Sequence, residues 1–174
     1  EISLSVKDVV TNADIVITML TDDAAVEKVM SSDEFISNIK EGATVIDMSS
    51  VNPVLTIKYS KKLKEKKIDY LDAPVSGGTI GAEEATLAIM VGGDEETFNN
   101  CYELLKKMGN PTLVGPVSSG QISKLANQII VGVTIGAVAE AITFCEKSVT
   151  NPNKKIEALS GVWADSKILQ THGK

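Results

Sequence analysis

Short apolar runs bounded by turn residues alternate in this chain with segments of helical period, and few folds accommodate that pattern. Asp14-Ile15-Val16-Ile17-Thr18-Met19-Leu20, Thr44-Val45-Ile46-Asp47-Met48, Ile68-Asp69-Tyr70-Leu71-Asp72-Ala73 and Leu87-Ala88-Ile89-Met90-Val91 read as buried strands, with Thr112-Leu113-Val114 a shorter fifth. Helices are expected over Asp22 to Met30, Ser32 to Lys40, Asn52-Pro53 to about Lys67, and Asp94 to Met108. Asp22 or Asp23 and Asp94 are placed to cap, and Pro53 suits a first helical turn. Strands alternating with helices imply an α/β domain with a largely parallel sheet.

The texture changes at Ser119. A single long helix is expected to about Val149, broken at Thr150-Asn151-Pro152-Asn153, with another helix from Ile156 to Val162. The chain therefore divides into an α/β domain, residues 1–116, and a second part, residues 117–174, made of a long helix and the beginning of an all-helical domain. The run from Ile129 to Ala139, continued to Phe144, approaches the length of a membrane span. Glu140 interrupts it, and Lys124, Asn127 and Gln128 stand just before it, so a spanning helix is disfavoured. The expectation is a helix buried between protein layers or against another subunit, with no membrane partner.

Composition narrows the function classes. At 174 residues, 43% hydrophobic and 23% charged, the chain has the profile of one globular domain, or of one domain plus a piece of another. Its net charge of −6 argues against nucleic acid, since phosphate binding needs a basic surface. The basic cluster Lys61-Lys62-Leu63-Lys64-Glu65-Lys66-Lys67 reads as a solvated helix face, or as a phosphate or partner patch. Cys101 and Cys145 form no CxxC pair and read as apolar fillers or thiols in a reducing compartment, which makes a cytoplasmic location the expectation. His172 is the single histidine and reads as incidental, and no metal-ligand cluster is visible.

Two motifs carry chemistry. Asp72-Ala73-Pro74-Val75-Ser76-Gly77-Gly78 is a glycine-rich turn straight after an apolar run. Its glycines would let backbone N–H groups approach an anion closely, and Ser76 adds a hydroxyl donor; the same text also suits a plain strand-to-helix turn. Gly120-Gln121-Ile122-Ser123-Lys124-Leu125-Ala126-Asn127-Gln128 places a lysine and an amide one helical turn apart. A lysine whose pKa falls towards neutrality can exchange a proton with a substrate hydroxyl.

Together these motifs resemble those of the β-hydroxyacid dehydrogenase family, and the resemblance runs over essentially the whole chain. It implies a Rossmann-like fold, a nicotinamide cofactor (NAD or NADP), and interconversion of a small β-hydroxyacid with its semialdehyde, of the 3-hydroxyisobutyrate or 2-hydroxy-3-oxopropionate type. By resemblance, Lys124 is the proton-transfer residue and Asn127 orients it or the substrate. Ser76, Gly77 and Gly78 hold the substrate carboxylate, and Met19, Leu20, Thr21 and Ser50 touch the dinucleotide. Trp163 or Ser166 could line the substrate pocket. A homodimer or homotetramer is expected.

Four positions depart from the family pattern. Thr21 stands where proline is usual, Ser50 where threonine is frequent, and Ser118 and Ala85 where glycine is usual. The family's G-x-G-x-x-G fingerprint, expected on a βαβ unit preceding Glu1, is not found in this sequence, and the residue that selects NAD over NADP would lie with it. The sequence thus reads as truncated at both ends. Rival readings are a glyoxylate or succinic semialdehyde reductase of the same superfamily, and a non-catalytic scaffold derived from such an enzyme.

Overall fold

A computed structural model describes residues 5–148 and 152–172. The chain divides into two compact units, residues 1–124 and 125–174.

The first unit opens with α1 (Val6–Val10), β1 (Ile15–Thr18), α2 (Asp23–Met30), α3 (Asp33–Ile36), β2 (Thr44–Asp47), α4 (Pro53–Lys64) and β3 (Asp69–Asp72). It continues through β4 (Val75–Ser76), α5 (Gly78–Glu83), β5 (Leu87–Gly92), α6 (Glu95–Lys106) and β6 (Gly109–Gly115). Next comes α7 (Ser119–Lys147), whose first turn belongs to this unit. The caps expected at the starts of α2 and α6 form. Asp22 Oδ1 accepts from Ala25 N at 2.8 Å, and Asp94 Oδ1 accepts from Glu96 N and Thr97 N. Pro53 sits in the first turn of α4, where a missing N–H costs nothing.

The six strands form one sheet in the order β1-β2-β3-β5-β4, with β6 on the other side of β5. Strands β1, β2 and β3 are parallel, β5 runs antiparallel to β3 and β4, and β6 is parallel to β5. Successive residues face opposite sides of a strand. Val45 and Tyr70 accordingly join the core packed beneath α2, α3 and α4, while their neighbours Ile46 and Leu71 join the core beneath α6. Burial on both faces is why these strands read as unbroken apolar runs.

Several elements differ from the sequence expectation. The helix expected from Ser32 to Lys40 spans only Asp33–Ile36 before Ser37 closes it. The short elements α1, β4 and α5 were not expected, because each is too brief to show a period. Strand β6 is longer than expected and takes in Pro111, tolerated on an edge strand.

The second unit holds the remainder of α7, then α8 (Pro152–Leu159) and α9 (Lys167–His172). Its core gathers Val138 and Leu169, with Ile142, Leu159 and Ile168 packed against them. The expected helix end near Val149 and the Thr150-Asn151 part of the expected break lie outside the described residues, as does the side chain of His172. The rest of that break, Pro152-Asn153, instead opens α8, so the helix expected from Ile156 to Val162 begins at Pro152 and ends at Leu159. Helix α7 is long and apolar enough to cross a membrane by length and composition alone. Ile129, Val133 and Phe144 on it are each about two-thirds exposed, so the expected burial between protein layers does not hold for these residues.

Candidate active site

In a sheet with parallel strands, ligands gather beyond the carboxyl ends of those strands. Here the register aligns those ends. Thr18, Asp47 and Asp72, the last residues of β1, β2 and β3, are direct neighbours across the sheet, and Gly92 pairs with Asp72. All three polar residues are buried. Buried polar groups need partners, and these find them in one another and in the loops that leave the strands.

Asp47 is the first hub. Its Oδ1 accepts from Thr18 Oγ1 at 2.9 Å and from Ser49 N at 3.1 Å, and its Oδ2 accepts from the Tyr70 hydroxyl at 3.3 Å. Burial, with the Asp47 and Asp72 carboxylates nearby, holds the Tyr70 hydroxyl well above the usual phenol range, so it stays a donor. Ser49 Oγ then accepts from Leu20 N at 2.9 Å, which ties the loop after β1 to the loop after β2.

Asp72 is the second hub. Its Oδ1 accepts from Ser118 N at 2.7 Å and its Oδ2 from Gln121 N at 2.9 Å. The first amides of a helix have no partner within the helix, so a strand-end carboxylate supplies the cap for α7. Burial pushes the Asp72 carboxyl up from 3.8 to about 6, against the pull of the amides of Ser118, Gln121 and Gly120. Gly120 is obligatory at this junction. A Cβ there would collide with the Met90 carbonyl oxygen and stand 2.8 Å from the Asp72 carbonyl oxygen.

The residues singled out from the sequence fall around this frame. Met19 and Thr21 are exposed after β1, and Leu20 between them is half-buried. Ser50 is exposed after β2, between buried Ser49 and Val51. Ser76 ends β4, where it pairs with Ala88 of β5. Gly77 and Gly78, at φ +146° and +65°, turn the chain into α5, so this motif is the strand-to-helix turn the sequence allowed. A Cβ on Gly78 would meet nothing within 4 Å, which leaves the backbone open to an approaching group. Lys124 is half-buried on α7, and burial lowers its ammonium pKa. Asn127, also on α7, donates from Nδ2 to Gln128 Oε1 at 3.1 Å. Trp163 is fully exposed, and Ser166 Oγ accepts from Leu169 N at 3.0 Å at the start of α9. Among the described residues no group of three His, Cys, Asp or Glu side chains could hold a metal ion.

Asp72 and Gln121 lie inside the two motifs singled out from the sequence, but their part in this frame, and that of Asp47 and Ser49, was not read from it. The signal was present for the two aspartates: a carboxylate at the end of an otherwise apolar strand demands a buried partner. The exposed edge they support suits a dinucleotide. Hydroxyls and an apolar side chain (Thr21, Ser50 and Met19) reach solvent at the carboxyl ends of parallel strands, on loops immobilised by their neighbours.

Comparison with known proteins agrees. Residues 1–132 match the family model described as the NAD binding domain of 6-phosphogluconate dehydrogenase. Residues 118–174 match that of the NAD-binding domain of NADP-dependent 3-hydroxyisobutyrate dehydrogenase. The chain is 44% identical to 2-hydroxy-3-oxopropionate reductase of Escherichia coli K12 over 164 residues, covering 93% of this chain and 56% of that protein. It is 34% identical to a probable mitochondrial 3-hydroxyisobutyrate dehydrogenase of Dictyostelium discoideum, covering 95% of this chain and 51% of that one. A solved structure of Mycobacterium tuberculosis 3-hydroxyisobutyrate dehydrogenase with L-serine superposes with a TM-score of 0.88 at 29% identity, over 97% of this chain and 58% of that one. The chain thus spans little more than half the length of these relatives. On its fold, its strand-end loops and these matches, the chain belongs to the β-hydroxyacid dehydrogenase family.

Proposed function

We propose that the protein is an NAD(P)-dependent oxidoreductase that interconverts a small β-hydroxyacid and its semialdehyde. The observation that carries this reading is the 44% identity to a 2-hydroxy-3-oxopropionate reductase across 93% of the chain, in a fold whose exposed strand-end loops suit a dinucleotide. Relatives named for 3-hydroxyisobutyrate and 2-(hydroxymethyl)glutarate dehydrogenases favour the same substrate class, a carboxylate with a hydroxyl on its β carbon.

The proposed roles are those the family resemblance implies. Met19, Leu20, Thr21 and Ser50 bind the dinucleotide, whose nicotinamide, when bound, accepts or supplies the hydride. The N–H groups of Gly77 and Gly78 and the Ser76 hydroxyl hold the substrate carboxylate. Lys124 Nζ takes the hydroxyl proton during oxidation and returns it to the carbonyl oxygen during reduction. This needs an amine that can lose its proton near neutral pH, and the partial burial of Lys124 moves it in that direction. Asn127 orients the lysine or the substrate. The same reading makes the protein a cytoplasmic homodimer or homotetramer, in which a second subunit covers the apolar face of α7.

Titration with NADH and with NADPH, followed by nicotinamide fluorescence, tests the reading. Saturable binding of one cofactor is expected, with turnover on a β-semialdehyde acid. A folded protein that binds neither would refute it.

A further inference from the structure

We infer that Gln121 is a positioning residue: it fixes the loop after β2, and with it the aim of the Ser50 hydroxyl, in register with the helical turn that bears Lys124. The inference rests on the roles proposed above for Ser50 and Lys124. Gln121 is 1% exposed, a rare environment for an amide side chain, and its bonds explain why it is tolerated there. Its Nε2 donates to the Ser49 carbonyl at 2.8 Å, and its Oε1 accepts from Val51 N at 3.1 Å. A carbonyl and the N–H two residues later are the pair that a parallel neighbouring strand engages around the residue between them. The Gln121 amide therefore imitates one rung of a strand around Ser50.

The rest of this loop is already committed. Ser49 N donates to Asp47, and Ser49 Oγ accepts from Leu20 N. With Ser49 and Val51 buried on either side, Ser50 presents its hydroxyl outward. Among the described residues, the Gln121 side chain is what bonds this loop to α7, and its own N–H is held by Asp72 at 2.9 Å. Lys124 follows three residues later, on the same face of the helix. One side chain thus sets cofactor loop and proton-transfer lysine against a common reference. Methionine would fill the same space with neither donor nor acceptor, and glutamate would keep only the acceptor.

A double-mutant cycle on the intact protein tests this. The Kd of NADH or NADPH, whichever wild type prefers, is measured for wild type, Ser50→Ala, Gln121→Met and the double variant, each checked for folding by circular dichroism. Ser50→Ala is expected to weaken binding about three- to tenfold, the effect of one neutral hydrogen bond. Gln121→Met should weaken it by at least as much, and adding Ser50→Ala to Gln121→Met should change nothing more, because the hydroxyl is already misdirected. Where Gln121→Met does not fold, Gln121→Glu takes its place with the same expectation. A purely structural glutamine would lower stability but leave the full effect of Ser50→Ala in either background, and that additivity would overturn the proposal. So would Ser50→Ala without effect in wild type. Wild type that binds neither cofactor would overturn the functional reading and this inference together, whereas binding with additive substitutions would overturn this inference alone.

Discussion

Among the described residues, three non-glycine residues hold a positive φ, and two of them, Ala85 at +53° and Ser118 at +80°, are positions where the family resemblance implies glycine. A side chain in this left-handed region costs about 1–2 kcal/mol, partly offset because glycine adds about 0.4–1 kcal/mol of unfolded-chain entropy. Ala85→Gly should therefore stabilise the protein by about 0.5–1 kcal/mol, raising Tm by roughly 1–4 °C; an unchanged or lower Tm would show that the loop is not strained. Ser118 keeps its strained conformation because its N–H is needed by Asp72. Asp72 itself yields a prediction with a definite sign. Its folded value near 6 lies above the ordinary 3.8, so the folded chain binds this proton more tightly than the unfolded one. Its contribution to stability is full below about pH 4 and lost as pH rises through about 6. A carbon-detected NMR titration of the Asp72 carboxyl should find a midpoint near 6, and a midpoint below 4 would mean that the three amides outweigh burial.

Packing of one element on another depends on Gly120. It lets the first turn of α7 settle against the ends of β3 and β5, where a methyl group would meet two carbonyl oxygens. Gly120→Ala should cost about 1–3 kcal/mol as α7 is pushed outward, read as a lower midpoint in urea; a loss under 0.5 kcal/mol would contradict the tight junction. The long elements were legible in the sequence because their physics is local. Strands β1, β2, β3 and β5 are apolar runs between turn residues, and α4 and α6 carry period and caps. The antiparallel course of β5 was not legible. It follows from the Pro74–Gly78 turn, which sends the chain through β4 and α5 before it returns beside β3, and no periodicity records that route. The helix expected to Lys40 ends at Ile36 with Ser37 as its C-cap, a boundary that composition does not reveal.

For the molecule as a whole, the motifs around Ser76 and Lys124 were visible in the sequence, but the frame that holds them was not. Asp47, Asp72 and Gln121 are distant in sequence: the register of the strands sets Asp47 beside Thr18 and Tyr70, and the docking of the first turn of α7 brings Gln121 N to Asp72 and the Gln121 side chain to Ser49 and Val51. The apolar length of α7 was legible as hydrophobicity, while the exposure of Ile129, Val133 and Phe144 was not. The central claim is that this frame presents Lys124 as the proton-transfer group of a hydroxyacid dehydrogenase. It is tested most directly by comparing Lys124→Ala with wild type for turnover of a β-semialdehyde acid and for cofactor Kd. The account predicts a loss of kcat of about 10²- to 10⁴-fold, the usual contribution of general acid–base catalysis, with cofactor Kd within about twofold. A loss of kcat below about tenfold in a folded variant that still binds cofactor would contradict it.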